Sequence, residues 1–263
     1  YGLYQLGMIA PGRQADFVIL DNVTDLNVVD VYHCGKKIIK DEKMEVKPCP
    51  PHLKNTVHVS GFSEERLKLK HSGEKAHVIQ MLEKQIVTKH IIEEVPCAEK
   101  DGEKYFESNE EYQKIAVIER HKNTGKMGVG IVKGYGIRGG AIASSVSHDS
   151  HNIIVVGDND HDMALAVKEM IRTQGGYTLV CNGEIYGTLP LPVMGLMSDA
   201  GYESVNEALA RMIPKAHEMG VKDGFDPFIT LSFMALPVIP EIRITPRGIY
   251  LVNEDRMLRT PFS

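Results

Sequence analysis

Residues 153–191 read IIVVGDNDHDMALAVKEMIRTQGGYTLVCNGEIYGTLPL, and three kinds of element follow one another in them. Ile153 to Val156 is a short β-branched run stopped by Gly157, the pattern of a buried strand. From Asp160 to Gln174, Met163, Val167, Met170 and Ile171 fall on one face at helical spacing, and Gly175-Gly176 supplies the stop. Tyr177 to Leu191 reads as two strands turning about Asn182-Gly183. Strands and helices mix here without a strict βαβ rhythm, which predicts an α+β or mixed α/β class.

The same mixture extends to both sides. AHVIQML, QIVTKHIIEEV and QKIAVIER, between residues 76 and 120, are rich in β-branched residues and read as strands, with EKDGEKYFESNEEY as a loop or hairpin between them. Downstream, Ser204 and Glu207 have the spacing of a capping box, which predicts a helix running through Met219, kinked at Pro214 and stopped by Gly220. Asp226-Pro227 opens a third helix that ends before Pro237, and EIRITPRGIYLVN closes with strands. At the other end, YGLYQLG reads as the last turns of a helix capped by Gly7. The strand Ala15–Leu20 follows, then a hairpin around Gly35 over residues 28–40. Three short strands do not fold alone and require partners. The predicted organisation is a sandwich segment over 1–48, a Pro-rich linker and polar surface region over 49–75, and an α+β domain over 76–263.

The chain has 263 residues, a net charge of −5 and no Trp. That balance gives no broad positive field and no base-stacking platform, so nucleic acid is excluded as an expected partner. Cys34, Cys49, Cys97 and Cys181 are scattered, with no C-x-x-C pair, which argues against a zinc ribbon or a disulfide framework. No apolar run approaches the ~18 residues of a membrane span. The composition fits a cytoplasmic protein, and a first residue of Tyr1 reads as a piece of something longer.

The densest polar cluster is HDSHN, residues 148–152, between apolar runs. His148, Asp149 and His151 offer three donors to a divalent metal, enough for a catalytic site with an open position. The H-x-x-H spacing opposes this, because residues i and i+3 of a strand point to opposite faces. The simpler reading is a turn built by Asp149, Ser150 and Asn152, with the histidines at the strand ends. Asp158, Asp160, His161 and Asp162 read as the capping residues of a helix N-terminus. The stretch NTGKMGVGIVKGYGIRGG lacks the spacing of a phosphate loop, so its glycines are read as bends or close backbone approaches. Ser144 and Ser145 have no G-x-S-x-G elbow. The Leu189–Asp199 loop, LPLPVMGLMSD, reads as apolar packing.

Two segments carry a resemblance. GMIAPGRQADFVILDN (7–22) with VYHCGKKII (31–39) resembles the stretch after the catalytic barrel of the amidohydrolase superfamily, where the chain rejoins a small β-sandwich. ERHKNTGKMGVGIVKGYGIRGGAIASSVSHDSHNIIVVG (119–157), LPLPVMGLMSD (189–199) and DPFITLSFMALPVIPEIRIT (226–245) resemble the C-terminal part of the bacterial-type adenine deaminase family. The resemblance runs from Tyr1 to about Thr245. It implies hydrolysis of adenine to hypoxanthine and ammonia in purine salvage, a reaction on the C–N bond of a cyclic amidine. It also implies a binuclear manganese or iron centre in a (β/α)-barrel, where metal-polarised water attacks C6. The eleven histidines here contain no H-x-H pair, and a (β/α)-barrel needs about 250 residues of its own. The resemblance therefore implies a C-terminal fragment whose principal metal ligands lie outside this chain, with no metal bound to the fragment and no activity by itself. Within it, His148, Asp149, His151 and Asn152 are the expected catalytic or substrate-facing candidates. They would close over the purine, hydrogen-bond its ring nitrogens or assist proton transfer. The partners implied are adenine, the chain's own barrel domain and a second copy in a homodimer. The alternative is a scaffold or dimerisation domain that braces the barrel, with HDSHN as turn chemistry and the LPLPVMGLM loop as interface.

Overall fold

The computed structural model describes residues 1–38, 48–72 and 75–262. The chain divides into two compact units, Tyr1–Pro48 and Cys49–Ser263. In the first, β1 (Phe17–Leu20), β2 (Val28–His33) and β3 (Lys36–Ile38) form an antiparallel sheet in chain order. Asp16 holds the β2–β3 turn: its carboxylate accepts the Cys34 N–H at 2.7 Å. Val18, Val28 and Val29 are each more than half exposed, so this sheet has little core. The predicted helix end over residues 1–7 is absent. That segment has turns and bends, and Leu3 and Tyr4 are exposed. So short a stretch with no buried face cannot offset the cost of nucleating a helix. The end of the predicted hairpin, residues 39 and 40, lies outside the described residues.

The second unit is built on a sheet of eight strands. Its first half comprises β4 (Ala76–Met81), β5 (Thr88–Glu93), β8 (Tyr112–Ile118) and β9 (Met127–Lys133), with the hairpin of β6 (Cys97–Lys100) and β7 (Glu103–Phe106) as a separate ribbon. The rest is β10 (Gly140–Ser144), β11 (Ile153–Gly157), β12 (Gly176–Cys181) and β13 (Glu184–Pro190). The spatial order is β13-β12-β10-β11-β8-β9-β4-β5. Neighbours are antiparallel except β4 and β9, which run parallel.

Both faces of this sheet are covered, which explains why its central strands read as continuous apolar runs rather than alternating ones. Ile115, Val117, Ile142, Ile154, Val156 and Leu179 point into one core, while Ala116, Ile118, Ala141, Ala143, Ile153 and Val155 point into the other. Helix α1 (Asp160–Arg172) lays Met163, Ala166, Val167 and Met170 on the second face. The first face is covered by α2 (Tyr202–Glu218) through Met212 and Ala216, and by α3 (Ile229–Met234) through Leu231 and Met234. It is also covered by the antiparallel sheet of β14 (Ile242–Thr245), β15 (Gly248–Leu251) and β16 (Arg256–Leu258). Each fully buried aliphatic side chain is worth about 1.5–3 kcal/mol relative to exposure. The mixed α+β class is the one expected.

Several local expectations need correction. Residues 49–75, read as linker and surface, supply Val57, Leu67 and Leu69 to the cores, with at most 6% exposure each. Their polar majority hid a few well-placed apolar residues. The capping box at Ser204 does not form. The helix starts at Tyr202 after Gly201, so Ser204 sits inside it, and its hydroxyl donates back to the carbonyls of Gly201 and Ala200 at 3.0 and 3.3 Å. The stop of α1 comes one residue early: Gln174 takes the left-handed conformation, φ +60°. Gln174 N–H reaches Ile171 O and Gly175 N–H reaches Met170 O, the two bonds of a Schellman ending. In the glycine-rich stretch, a Cβ on Gly128 would lie 2.1 Å from Thr245 O. Glycine there lets the β14–β15 turn press onto β9.

Candidate functional site

HDSHN lies in the connection between β10 and β11, which pair from Ala141↔Gly157 to Ser144↔Ile154. The eight residues between them, 145–152, are fixed from several directions. The Ser145 hydroxyl donates to Gly195 O at 2.6 Å and accepts the Gly176 N–H at 2.7 Å. Ser144 Oγ accepts the Val146 N–H at 3.0 Å. The turn itself closes through His151 N–H to Ser147 O at 2.5 Å. His151 takes φ +48°, a left-handed conformation that allows this reversal.

The four candidates differ in placement. His148 is half-buried, with its ring 5.0 Å from the Phe233 ring of α3. The ring of His151 stands 6.1 Å from that of His148, tilted by 59°. Asn152 is 5% exposed and fully engaged: its Oδ1 faces Arg120 N–H at 3.4 Å, and its Nδ2 donates to Ser150 Oγ at 3.1 Å. Asp149 is exposed at the tip. The strand-geometry objection to convergence does not apply, because the tight turn brings both imidazoles to one place. Asn152 serves as turn chemistry.

Behind the turn stands Arg120, fully buried at the end of β8. Its Nε donates to His151 O, one terminal nitrogen to Met194 O at 3.0 Å, and the other to Thr56 O at 3.4 Å. One guanidinium therefore joins the turn, the 189–199 loop and the 49–75 segment. Gly195 is shaped around it: a Cβ there would lie 2.7–2.9 Å from the guanidinium atoms. The 189–199 loop thus has a specific task beyond apolar packing. His121, next in the chain, contacts Ser150 O through Nε2 at 2.6 Å.

Burial pushes the Arg120 guanidinium down to about 10. Burial also lowers His151, and the nearby Arg120, His148 and His121 lower it further against a smaller opposing effect of Asp149. A depressed histidine is neutral near pH 7, so His151 is a proton acceptor there. Its Nδ1 is buried without a hydrogen-bond partner, and so is Ser147 Oγ.

Metal ligation at the turn is not supported by the donor arrangement. Among the described residues, the group of three donors within 4.8 Å of one another is Asp16, His33 and Cys34. All three are exposed, and both Asp16 oxygens are engaged by Cys34, His33 and Gln14. His148, Asp149 and His151 form no such group. A binuclear manganese or iron centre does not fit the described residues. Asp158 and Asp160, considered with the helix start, also have structural partners: Asp158 accepts the N–H groups of Gly139 and Gly140, and Asp160 pairs with Lys114. Asn159 is the helix cap, accepting Asp162 N–H at 2.8 Å.

Residues 85–256 match the family model described as the adenine deaminase C-terminal domain. The chain belongs to this family. It is 50% identical to the adenine deaminase of Desulfitobacterium hafniense over 259 residues, which is 98% of this chain and 45% of that protein. The adenine deaminases of Clostridium acetobutylicum and Halalkalibacterium halodurans are 43% and 41% identical over 98% and 96% of the chain, or 46% and 44% of their own lengths. The chain thus spans about half the length of these curated relatives. As a member of the adenine deaminase C-terminal family it carries the loop-and-turn site in its matched region. Among the described residues no helix is long and apolar enough to cross a membrane.

Sequence reasoning missed Arg120, Phe233 and the buttressing role of Gly195. The signal for Arg120 is an arginine two residues after the all-apolar run Ile115–Ile118, following Glu119, where a charged pair usually marks a solvated strand end. Nothing local to Phe233 points to His148.

Proposed function

We propose that this chain is the C-terminal part of an enzyme that hydrolyses adenine to hypoxanthine and ammonia. The observation that carries the reading is 50% identity to an adenine deaminase across 98% of the chain. Its metals, manganese or iron, would be held by a barrel domain outside these residues, in a cytoplasmic purine-salvage enzyme that works as a homodimer. In that enzyme His148 and His151 would face the substrate. His151 would accept a proton or hydrogen-bond a purine nitrogen through Nε2, since its Nδ1 is buried, and His148, braced on Phe233, would bind the ring edge. Two imidazoles brought together on a rigid turn support a binding role beyond turn closure.

The test uses a full-length enzyme carrying this C-terminal sequence. Replacing His148 or His151 by Ala lowers turnover on adenine by about tenfold or more, in the range of a positioned acid–base group. Unchanged kinetics in both variants would exclude the role. The purified 263-residue chain with added manganese releases no ammonia from adenine, and measurable release would overturn the assignment of the chemistry to a separate barrel.

A further inference from the structure

We propose that Arg120 is the positioning residue of the HDSHN turn: its buried guanidinium fixes the His151 backbone from behind and so sets the place and surroundings of the His151 imidazole. The inference rests on the reading of His151 as a substrate-facing group, but its own basis is geometric.

A cation at 0% exposure ordinarily requires a carboxylate, because burying an unpaired charge is costly. Arg120 instead spends its donors on carbonyls of three separate segments, at His151, Met194 and Thr56. A neutral donor such as Gln carries only two N–H groups on one nitrogen and could not reach all three carbonyls, so the three-way link calls for the guanidinium fork and brings its charge with it. What the charge adds is a field at the turn. Burial opposes protonation of His151 most; the ionisable groups that act on it are Arg120, His148 and His121, which oppose it further, and Asp149, which favours it. Asp149 is exposed and so screened by water, whereas Arg120 is enclosed. Arg120 thus adds to the effect of burial in keeping the proton off His151. The geometry agrees: His151 N–H is used in the turn, its carbonyl is used by Arg120, and the ring nitrogen Nδ1 is left without a partner. Glycine at 195 is required by the same guanidinium, so its setting is built into a second loop.

The experiment is a histidine-ring NMR titration of the 263-residue chain with R120M and R120K, beside hydrogen exchange of the backbone amides. In the native chain His151 titrates below its ordinary 6.5. In R120M its midpoint rises by about half a pH unit or more, and the amides of residues 147–152 exchange at least about tenfold faster. In R120K, which keeps the charge and loses the planar fork, the midpoint stays low while exchange at the turn still accelerates. An unchanged His151 midpoint in a folded R120M overturns the electrostatic half. Unchanged exchange at 147–152 in R120K overturns the positioning half, and this variant decides alone if R120M does not fold. Neither readout involves turnover. If His148 and His151 prove dispensable for adenine hydrolysis while these shifts are seen, the proposed function fails and the role of Arg120 stands.

Discussion

His77 and His90 face each other across β4 and β5, with ring nitrogens 2.7 Å apart and planes 14° from parallel. One nitrogen must donate and the other accept, so this contact requires a neutral imidazole. Burial lowers the pKa of both, as it does for His151; the mutual repulsion adds to it at His77. A histidine held down in the folded state gains its proton first in the unfolded chain. Its contribution to stability is therefore intact above about 6.5, the ordinary histidine value, and is lost as pH falls through that value toward the lower folded one. Thermal unfolding is expected to occur at a lower temperature at pH 5.5 than at pH 7.5. The gap should narrow in H77Q or H90Q, and an equal gap in both variants would contradict the assignment. At this scale the sequence was only partly legible. HDSHN stood out because polar residues crowded between apolar runs. The His77–His90 contact depends on the register of two strands, and Arg120 reaches His151 only after β8 and β11 have paired.

Elements announce their interiors better than their ends. The apolar face of α1 is readable from Met163, Val167 and Met170, and both cores follow once the sheet is known to be covered on two sides. The caps are harder, because several residues of the right type compete. Around α1, Asp158, Asn159 and Asp160 are all plausible caps, and only Asn159 accepts the first-turn N–H. Around α2, Ser204 has the right partner in Glu207, but Gly201 with φ +90° starts the helix earlier. The structure thus separates two substitutions that the sequence would rank alike. N159A is expected to cost about 1 kcal/mol by urea unfolding, the usual effect of losing a side-chain cap. S204A, on an exposed helical turn where the hydroxyl only donates back to carbonyls, should stay within about 0.5 kcal/mol. A larger loss for S204A than for N159A would show the caps to be misassigned.

Across the whole chain, stability is concentrated in Cys49–Ser263. That unit holds two cores on opposite faces of one sheet, whereas Tyr1–Pro48 has three short strands with valines turned to water. Hydrogen exchange should reveal this directly. Amides of β1–β3 are expected to exchange within the range of local fluctuations, and those of β8, β10 and β11 only through global opening. Protection in β1–β3 equal to that of the central strands would refute the contrast. The mixed fold class was visible in the sequence, since helical and strand periodicities alternate irregularly along it. The strand order was not: β4 pairs with β9 across the four intervening strands β5–β8, and no local pattern records so distant a pairing.

The parallel pairing of β4 with β9 has a consequence for how the molecule assembles. Every other adjacency in the large sheet except β8–β11 and β10–β12 joins strands consecutive in the chain, so β8–β9, β10–β11 and β12–β13 can close as local hairpins with small loops. β4 instead must wait for β9 to be laid down after two further strands, β5 and β8, and the β6–β7 ribbon have left the ribosome. Long loops make such contacts slow. The β4–β5 hairpin is thus the late-docking edge of the sheet, and Glu241, just ahead of β14, donates its N–H to Thr88 O, so a still later segment covers that edge.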